Sequence, residues 1–504
     1  MKFINEKIIL CVLVFSIGLA SCNKDNFLNV NSDPNSVTDA NITPYLIFPQ
    51  AANEVGVRQF GNLDFLQQWM GYSCQSGSYV PDQTISSYNA DFSFYDNVWD
   101  NNYHVLFDLY QTKVKGFAVG DSGIAYASTI LSAQIFQNLV DMFGDIPYSQ
   151  AFDNVKYPTP AYDKAQDIYA ALQSNLDLAI KYLSTGTATS SFTTADKING
   201  GDFSKWIKYA NTLKLRLLIR QSEVPGFSPT TEIAKIVANG GVLQAGQSIS
   251  VNLGYANAKN QESPFYGFYG YDATGADAYP FSRANNYFDT LLADNTDTLR
   301  LYRFYGTAPN GSIVGSRLGA SAYSANDPTS NPGGDKESKF GPGLLSSPTQ
   351  DQWILTSFES LFLQAEAIAR GWLSGDPKAA YQSAVQESFA WLGVANAASA
   401  ATTYLNNAPN ANYDNPPAYF TSKAQFIAYQ KYIALCGTDP IEAWCDLRRL
   451  KMLPDNGYIS VSTSKASSTL PVRFLYPQVE YTSNSSTPQE SAKDAFSKKI
   501  FWQP

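Results

Sequence analysis

The chain has 504 residues, 16% of them charged, a formal net charge of −9 and a single histidine. That length covers one large or two to three ordinary domains, and the low charge content (an average soluble domain carries about 25%) leaves the polar surface to Asn, Gln, Ser, Thr and Tyr. The acidic balance argues against a nucleic-acid partner, which needs a basic face; one histidine rules out a His-rich metal centre, and five cysteines over this length rule out a small disulfide scaffold.

Lys2 and Lys7 flank the start of an apolar run, Ile8 to Ala20, which Leu19-Ala20-Ser21-Cys22 closes. The run is shorter than the roughly 18 to 20 residues that span a bilayer, so it reads as a secretory signal. Its end resembles a bacterial lipobox. On that reading residues 1–21 are removed and Cys22 becomes the first residue, carrying acyl chains such as palmitate. Each buried methylene then holds the anchor by about 0.8 kcal/mol. An ordinary cleaved signal with an incidental cysteine is the alternative. Residues 22–41, with Asn31-Ser32-Asp33-Pro34-Asn35 at their centre, form a polar, turn-rich tether. Residues 42–504 are expected to be a single domain.

Downstream the apolar residues take helical spacing. Ile124, Ala127, Leu131, Ile135, Leu139 and Met142 share one face, and Gly144 with Pro147 ends that helix. Ile168, Ala171, Leu172, Leu176, Ala179 and Ile180 make a second stripe; Trp206, Ala210, Leu213 and Leu217 make a third, with Ser204 as its N-cap. Phe358, Leu361, Phe362, Ala365, Ile368 and Trp372 line another helix, and Gly375-Asp376-Pro377 turns the chain into Tyr381, Ala384, Val385 and Ser388. Phe426, Tyr429 and Ile433 precede a turn at Gly437, and Ile441, Trp444 and Cys445 follow it. These pairs predict a mostly α fold of tetratricopeptide-like helical hairpins, of irregular period. Residues 240–350 and 395–420, rich in Gly, Asn, Ser, Pro and Tyr, are predicted as loop insertions forming a large irregular face, where binding residues tend to sit.

Catalytic chemistry is sparse. His104 lies in the helix-like run Trp99-x-x-x-Tyr103-His104-x-Leu106 and reads as structural or solvated. There is no nucleophile elbow, Walker loop or dinucleotide fingerprint. Asn29-x-Asn31-x-Asp33 has Pro34 where a calcium loop needs glycine, so it reads as a turn. No metal or other cofactor is expected. Cys436 and Cys445 flank the Gly437–Pro440 turn; a disulfide across it is allowed, and two buried thiols are favoured. Of the tryptophans, Trp206, Trp372, Trp391 and Trp444 lie on helical stripes and Trp353 opens one, so these read as core. Two aromatic clusters lie beside amides and glycines: Trp69, Tyr72 and Tyr79, then Tyr266, Tyr269, Tyr271 and Asp272. Rings cover the C–H face of a sugar while Asn, Gln and Asp bind its hydroxyls, and glycine admits close backbone approach. These seven residues are the candidate ligand site.

A larger resemblance rests on motifs in order: Leu28-Asn29-Val30-Asn31-Ser32-Asp33-Pro34-Asn35, Asp141-Met142-Phe143-Gly144-Asp145-Ile146-Pro147-Tyr148, the run Trp206 to Arg216, Glu262-Ser263-Pro264-Phe265, Ala365-Glu366-Ala367 with Arg370-Gly371, Glu442-Ala443-Trp444 through Arg448-Arg449, and Tyr476-Pro477-Gln478-Val479-Glu480. With the lipobox in front, the chain resembles the SusD/RagB-like nutrient-binding lipoproteins of Bacteroidetes outer membranes, in their second, divergent branch. Asn23-Lys24-Asp25 is similar to the signal that sends such lipoproteins to the cell surface. The resemblance implies a non-catalytic protein that captures an oligosaccharide or peptide and passes it to a TonB-dependent transporter of the SusC type, with its helical side toward the barrel and its loops toward the ligand. A surface glycosidase or peptidase, whose paired carboxylates would meet only in space, and a helical interaction scaffold or adhesin are the alternatives.

Overall fold

The helical stripes of the sequence become paired helices. The structure, a computed structural model, describes residues 42–89, 91–333 and 336–504; the signal, Cys22 and the tether with its Asn-Ser-Asp-Pro motif lie outside them. The long helices are α1 (Pro44–Val57), α2 (Asp96–Ala118), α3 (Ser122–Phe143), α4 (Ala165–Leu183), α5 (Phe203–Arg220), α6 (Ser357–Ala369), α7 (Pro377–Trp391), α8 (Ala397–Asn407), α9 (Lys423–Ala434) and α10 (Pro440–Leu450). Consecutive helices pack as hairpins from α2 through α5 and again from α6 through α8, with α9 against α6 and α10. Pro44–Pro504 form one compact unit. The fold is mostly helical.

Helix ends follow from side chains that satisfy the free N–H groups of the first turn. Asp376 accepts from Lys378 N (2.9 Å) with Pro377 at the first helical position, and Asp439 accepts from Glu442 N (2.9 Å) ahead of Pro440. The cap of α5 is Asp202 rather than Ser204: the Asp202 carboxylate accepts from Ser204 N at 2.9 Å, so Ser204 is already inside the helix. The Phe-Gly-Asp-Ile-Pro-Tyr segment is a junction. Gly144, at φ 85°, closes α3, Asp145 Oδ1 accepts from Ala165 N (2.8 Å) at the start of α4, and β2 (Ile146–Pro147) pairs with β3 (Tyr162–Asp163).

Two expectations need correction. Trp353 opens no helix; it lies in β6 (Gln352–Leu355), antiparallel to β4 (Ile249–Val251), although it is buried as expected. The 395–420 stretch is not all loop, because α8 occupies Ala397–Asn407 and buries Ala401, Tyr404 and Leu405. That stripe is one turn of small and aromatic residues among polar ones, too short to stand out. The 240–350 region is irregular, yet it carries short helices at Pro264–Tyr269, Asn286–Asp294 and Thr298–Phe304, and the strand β5 (Ser282–Ala284) pairs with β1 (Ser73–Gln75).

The core contains a buried ionic lattice where α3, α5, α6, α9 and α10 meet. Arg220 binds Asp141 (3.0 Å) and Glu442; Lys431 binds Glu442 (2.6 Å) and Asp446 (2.7 Å). Arg449 binds Glu366 and Asp446 (2.8 Å), and Arg216 binds Glu359 (3.3 Å) with Asp439 beyond it (3.8 Å). Each buried ion costs several kcal/mol in lost hydration unless its partners are complete, which accounts for Glu442 and Arg449 of the Glu-Ala-Trp…Arg-Arg segment, whereas Arg448 donates to the backbone oxygens of Asp141 and Val472 (2.8 Å each). Burial works against ionised Glu442, yet Arg220 and Lys431 pull it below the usual carboxylate range. Burial instead holds Glu359 and Asp439 above that range, with Arg216 opposing. Six acids facing four cations therefore need not all be charged. Cys436 and Cys445 are buried free thiols beside this lattice, as favoured from the sequence.

Candidate functional site

Three of the seven candidate ligand residues are core. Trp69, Tyr72 and Tyr269 have essentially no exposed surface. Trp69 Nε1 donates to Ile85 O (3.0 Å), the Tyr72 hydroxyl donates to Tyr432 O (2.6 Å) with its ring stacked on Tyr432, and the Tyr269 hydroxyl donates to Asp64 Oδ1 (3.1 Å). Their polar atoms are satisfied internally, so no edge is left for a ligand. Asp272 is exposed but occupied by its own turn: it accepts from Thr274 Oγ1 (2.6 Å), Thr274 N (2.8 Å) and Ala276 N (3.0 Å), and these bonds lower its pKa. Tyr266 is half-buried.

Tyr79 and Tyr271 do reach the surface, at different places. Tyr79 packs on the exposed ring of Phe281, centroids 4.2 Å apart. Tyr271 lies under the ammonium of Lys339, which is 3.9 Å from its ring centre and also pairs with Asp277 at 3.0 Å. That second group edges a pocket of about 410 Å³ with Arg283 and Phe340.

A cleft of about 550 Å³ has the chemistry expected of a sugar site, and none of the sequence candidates lines it. Its aromatic walls are Tyr287, Tyr419 and Tyr458, joined by the amides of Asn286 and Asn410, the carboxylate of Asp455 and the guanidinium of Arg317. Tyr287 is fixed by the cap of its helix: Asn285 Oδ1 accepts from Tyr287 N (2.9 Å), while Asn285 Nδ2 donates to Ser73 O (3.0 Å) and ties the helix to β1. Its ring occupies a slot between two glycines. A Cβ at Gly71, where φ is +75°, would fall 2.8 Å from the ring, and one at Gly457 would fall 2.6 Å from it.

Tyr458 meets Tyr287 edge-on at 5.8 Å, and Tyr419 stands 40% exposed at the mouth. The Tyr287 hydroxyl is buried and has no hydrogen-bond partner among the described residues. Burial, then Asp455 and Tyr458, push its pKa upward, so it is a neutral O–H that keeps its proton for donation. An unsatisfied buried donor costs about 1–3 kcal/mol. Arg317 and Leu318 line both this cleft and a narrow crevice that reaches Tyr79, which links the cleft to the Tyr79–Phe281 pair.

These tyrosines come from three distant stretches of chain, Asn286-Tyr287-Phe288, Ala418-Tyr419-Phe420 and Gly457-Tyr458-Ile459, and sequence alone gives no reason to join them. Two carboxylates, Asp294 and Asp455, line the cleft. His104 lies on the exposed face of α2. Buried Glu337 accepts from Ser76 Oγ (2.5 Å), Gly77 N (2.7 Å) and Ser316 Oγ. Among the described residues no group of three or more His, Cys, Asp and Glu could hold a metal ion.

A SusD-like family model described as "Starch-binding associating with outer membrane" matches residues 35–477. No curated protein sequence matches the chain. Among solved structures, a SusD homolog from Bacteroides fragilis is 20% identical with a TM-score of 0.70, covering 92% of this chain and 98% of that one. A chitin-binding SusD homolog from Flavobacterium johnsoniae is 21% identical with a TM-score of 0.69, covering 90% and 97%. A SusD-like protein from Bacteroides thetaiotaomicron is 22% identical with a TM-score of 0.68, covering 90% and 98%.

Proposed function

The chain belongs to the SusD-like family of outer-membrane-associated nutrient-binding proteins, and on that premise we propose that it captures a neutral oligosaccharide in the Tyr287–Tyr419–Tyr458 cleft and releases it unchanged to a TonB-dependent transporter of the SusC type. The unpartnered Tyr287 hydroxyl among tyrosine rings and amides carries the saccharide reading. The chitin-binding relative of the same fold favours it over a peptide. Cleavage after residue 21, lipidation of Cys22 and a tether over 22–41 would hold the body at the cell surface, and the lipobox supports that arrangement.

A lid that must load a pore and then empty needs only micromolar affinity, about −8 kcal/mol. The test is calorimetry of the full chain against glycan and peptide panels, with chromatography of the ligand afterwards. One glycan class should bind and be recovered intact. Tyr287→Phe should weaken it about two- to tenfold, the range of one hydrogen bond, and Tyr419→Ala by a similar factor. Shortened glycan after incubation, or full affinity in both variants, would refute the proposal. Labelling with palmitate that Cys22→Ser abolishes, and co-purification with a large barrel protein, test the anchor and the partner.

A further inference from the structure

The helical side of the molecule carries a second pocket whose chemistry differs from that of the cleft. α2, α3 and α4 enclose about 280 Å³, below the 300–1,000 Å³ usual for drug-sized ligands and suited to one side chain. Its floor is apolar, with Leu106, Ala133 and Leu172 all buried. Its walls are rings: Tyr110 stacks on Phe152 at 5.2 Å, and Phe136 meets Tyr148 edge-on at 4.7 Å. Most of the hydroxyls that line it are already engaged, Thr129 on Ala125 O (2.9 Å), Ser132 on Ser128 O (2.8 Å) and Ser149 on Asp163 Oδ1 (2.9 Å), while the Tyr148 hydroxyl accepts from Asn175 Nδ2 (2.8 Å). A sugar would find few hydrogen bonds there.

One charge at the pocket has no counterpart. Lys113 is half-buried at its edge and has no hydrogen-bond or ionic partner among the described residues, whereas Lys214, Lys235, Lys339 and Lys431 each hold a carboxylate. Burial alone lowers its pKa. Asp153, the acid on the rim, is exposed and accepts from Lys156 N (3.1 Å) in its own turn. Partial desolvation of an unpaired cation is unfavourable, and an incoming carboxylate would offset it. The pocket also opens beside an apolar stripe on α2. Phe107, Val114 and Phe117 are exposed at helical spacing, in line with Tyr110. Exposed apolar stripes of this kind mark contacts with other polypeptides more than with free solutes.

We propose that this pocket seats the C-terminal residue of a partner polypeptide, its apolar or aromatic side chain against the touching rings of Phe136 and Phe152 (6.3 Å) and its terminal carboxylate on Lys113, while the chain before it lies along the α2 stripe. The test uses fluorescence anisotropy of the full chain with a decapeptide ending in phenylalanine, the same peptide amidated, and N-acetylphenylalanine. The acid peptide should bind at least tenfold more tightly than the amide, and Lys113→Gln should erase that difference. Lys113→Glu should reverse the preference. Glycan affinity in both variants should stay unchanged, which shows that they are folded. Equal binding of acid and amide, absence of binding at millimolar peptide, or an acid preference that survives Lys113→Gln would overturn the proposal. N-acetylphenylalanine binding as tightly as the peptide would overturn the assignment to a partner chain.

Discussion

Asp289 offers a direct electrostatic test of the region behind the cleft. It is 7% exposed, in the helix that presents Tyr287, and its Oδ1 accepts from Thr290 Oγ1 at 3.1 Å with no cation in ion-pair range among the described residues. Burial raises its pKa from 3.8 to about 7. The native carboxyl therefore keeps its proton up to about pH 7, whereas the unfolded one loses it near pH 4. Between these values the native state binds more protons, so stability falls as pH rises from about 4 to 7 and is level above. The full difference is about 4 kcal/mol. Asn has the same shape and no charge, so Asp289→Asn should be nearly neutral at pH 4 and stabilising by up to about 4 kcal/mol at pH 8. Urea unfolding of both proteins at several pH values measures this directly. Because Glu359 and Asp439 titrate in both proteins, the difference isolates Asp289. A variant that is less stable at pH 8, or a gap that does not change with pH, would refute the reasoning.

Breaking the ionic lattice should be costly: Glu442→Gln leaves Arg220 and Lys431 short of a counter-charge and should remove about 3–5 kcal/mol, read as a fall in the thermal midpoint. Gly437 has φ +77°, and a Cβ there would lie 2.5 Å from Leu344 Cδ1, so Gly437→Ala should cost about 1–3 kcal/mol in the same assay. Cys74, Cys436 and Cys445 are buried, and burial pushes Cys445 up to about 12; a thiol reagent should leave all three untouched in native protein and label them in urea. Saccharide affinity should hardly change between about 0.1 M and 1 M salt, over which the Debye length falls from about 10 to 3 Å; a strong loss in titration calorimetry would point to a charged ligand.

The scaffold was legible where periodicity and punctuation agreed. Ile124 through Met142 step onto one face, and the helix stops at Gly144 because its φ of +85° ends the helical path. The Gly-Asp-Pro turn before α7 became a cap and a first-turn proline. Other motifs held a meaning that spacing could not show. Glu480 of the late Tyr-Pro-Gln-Val-Glu segment accepts from the Tyr162 hydroxyl (2.6 Å) and Trp99 Nε1 (3.2 Å), closing the chain's end onto its first hairpins. Such pairings span more than 300 residues, and no local pattern encodes them. The strand at Trp353 was missed for a related reason: four buried residues in a row fit a buried strand as well as a helix start.

The binding face was harder to read because aromatic density signals packing before it signals binding. Phe265, Phe268, Tyr269 and Tyr279 sit within 4.7–6.0 Å of one another and consume each other's faces. The Tyr287 ring, by contrast, meets a single other ring among the described residues, that of Tyr458, and is held at its flanks by glycine and at its backbone by a cap. The charge distribution follows the same logic in reverse. A chain with few charges gathers four cations and six carboxylates in one buried lattice, where they fix how five helices meet. The cleft keeps a few charges, Asp294, Asp455 and Arg317, beside its phenols and amides, and on the reading proposed above it is the neutral groups that would hold a sugar loosely enough to let it go.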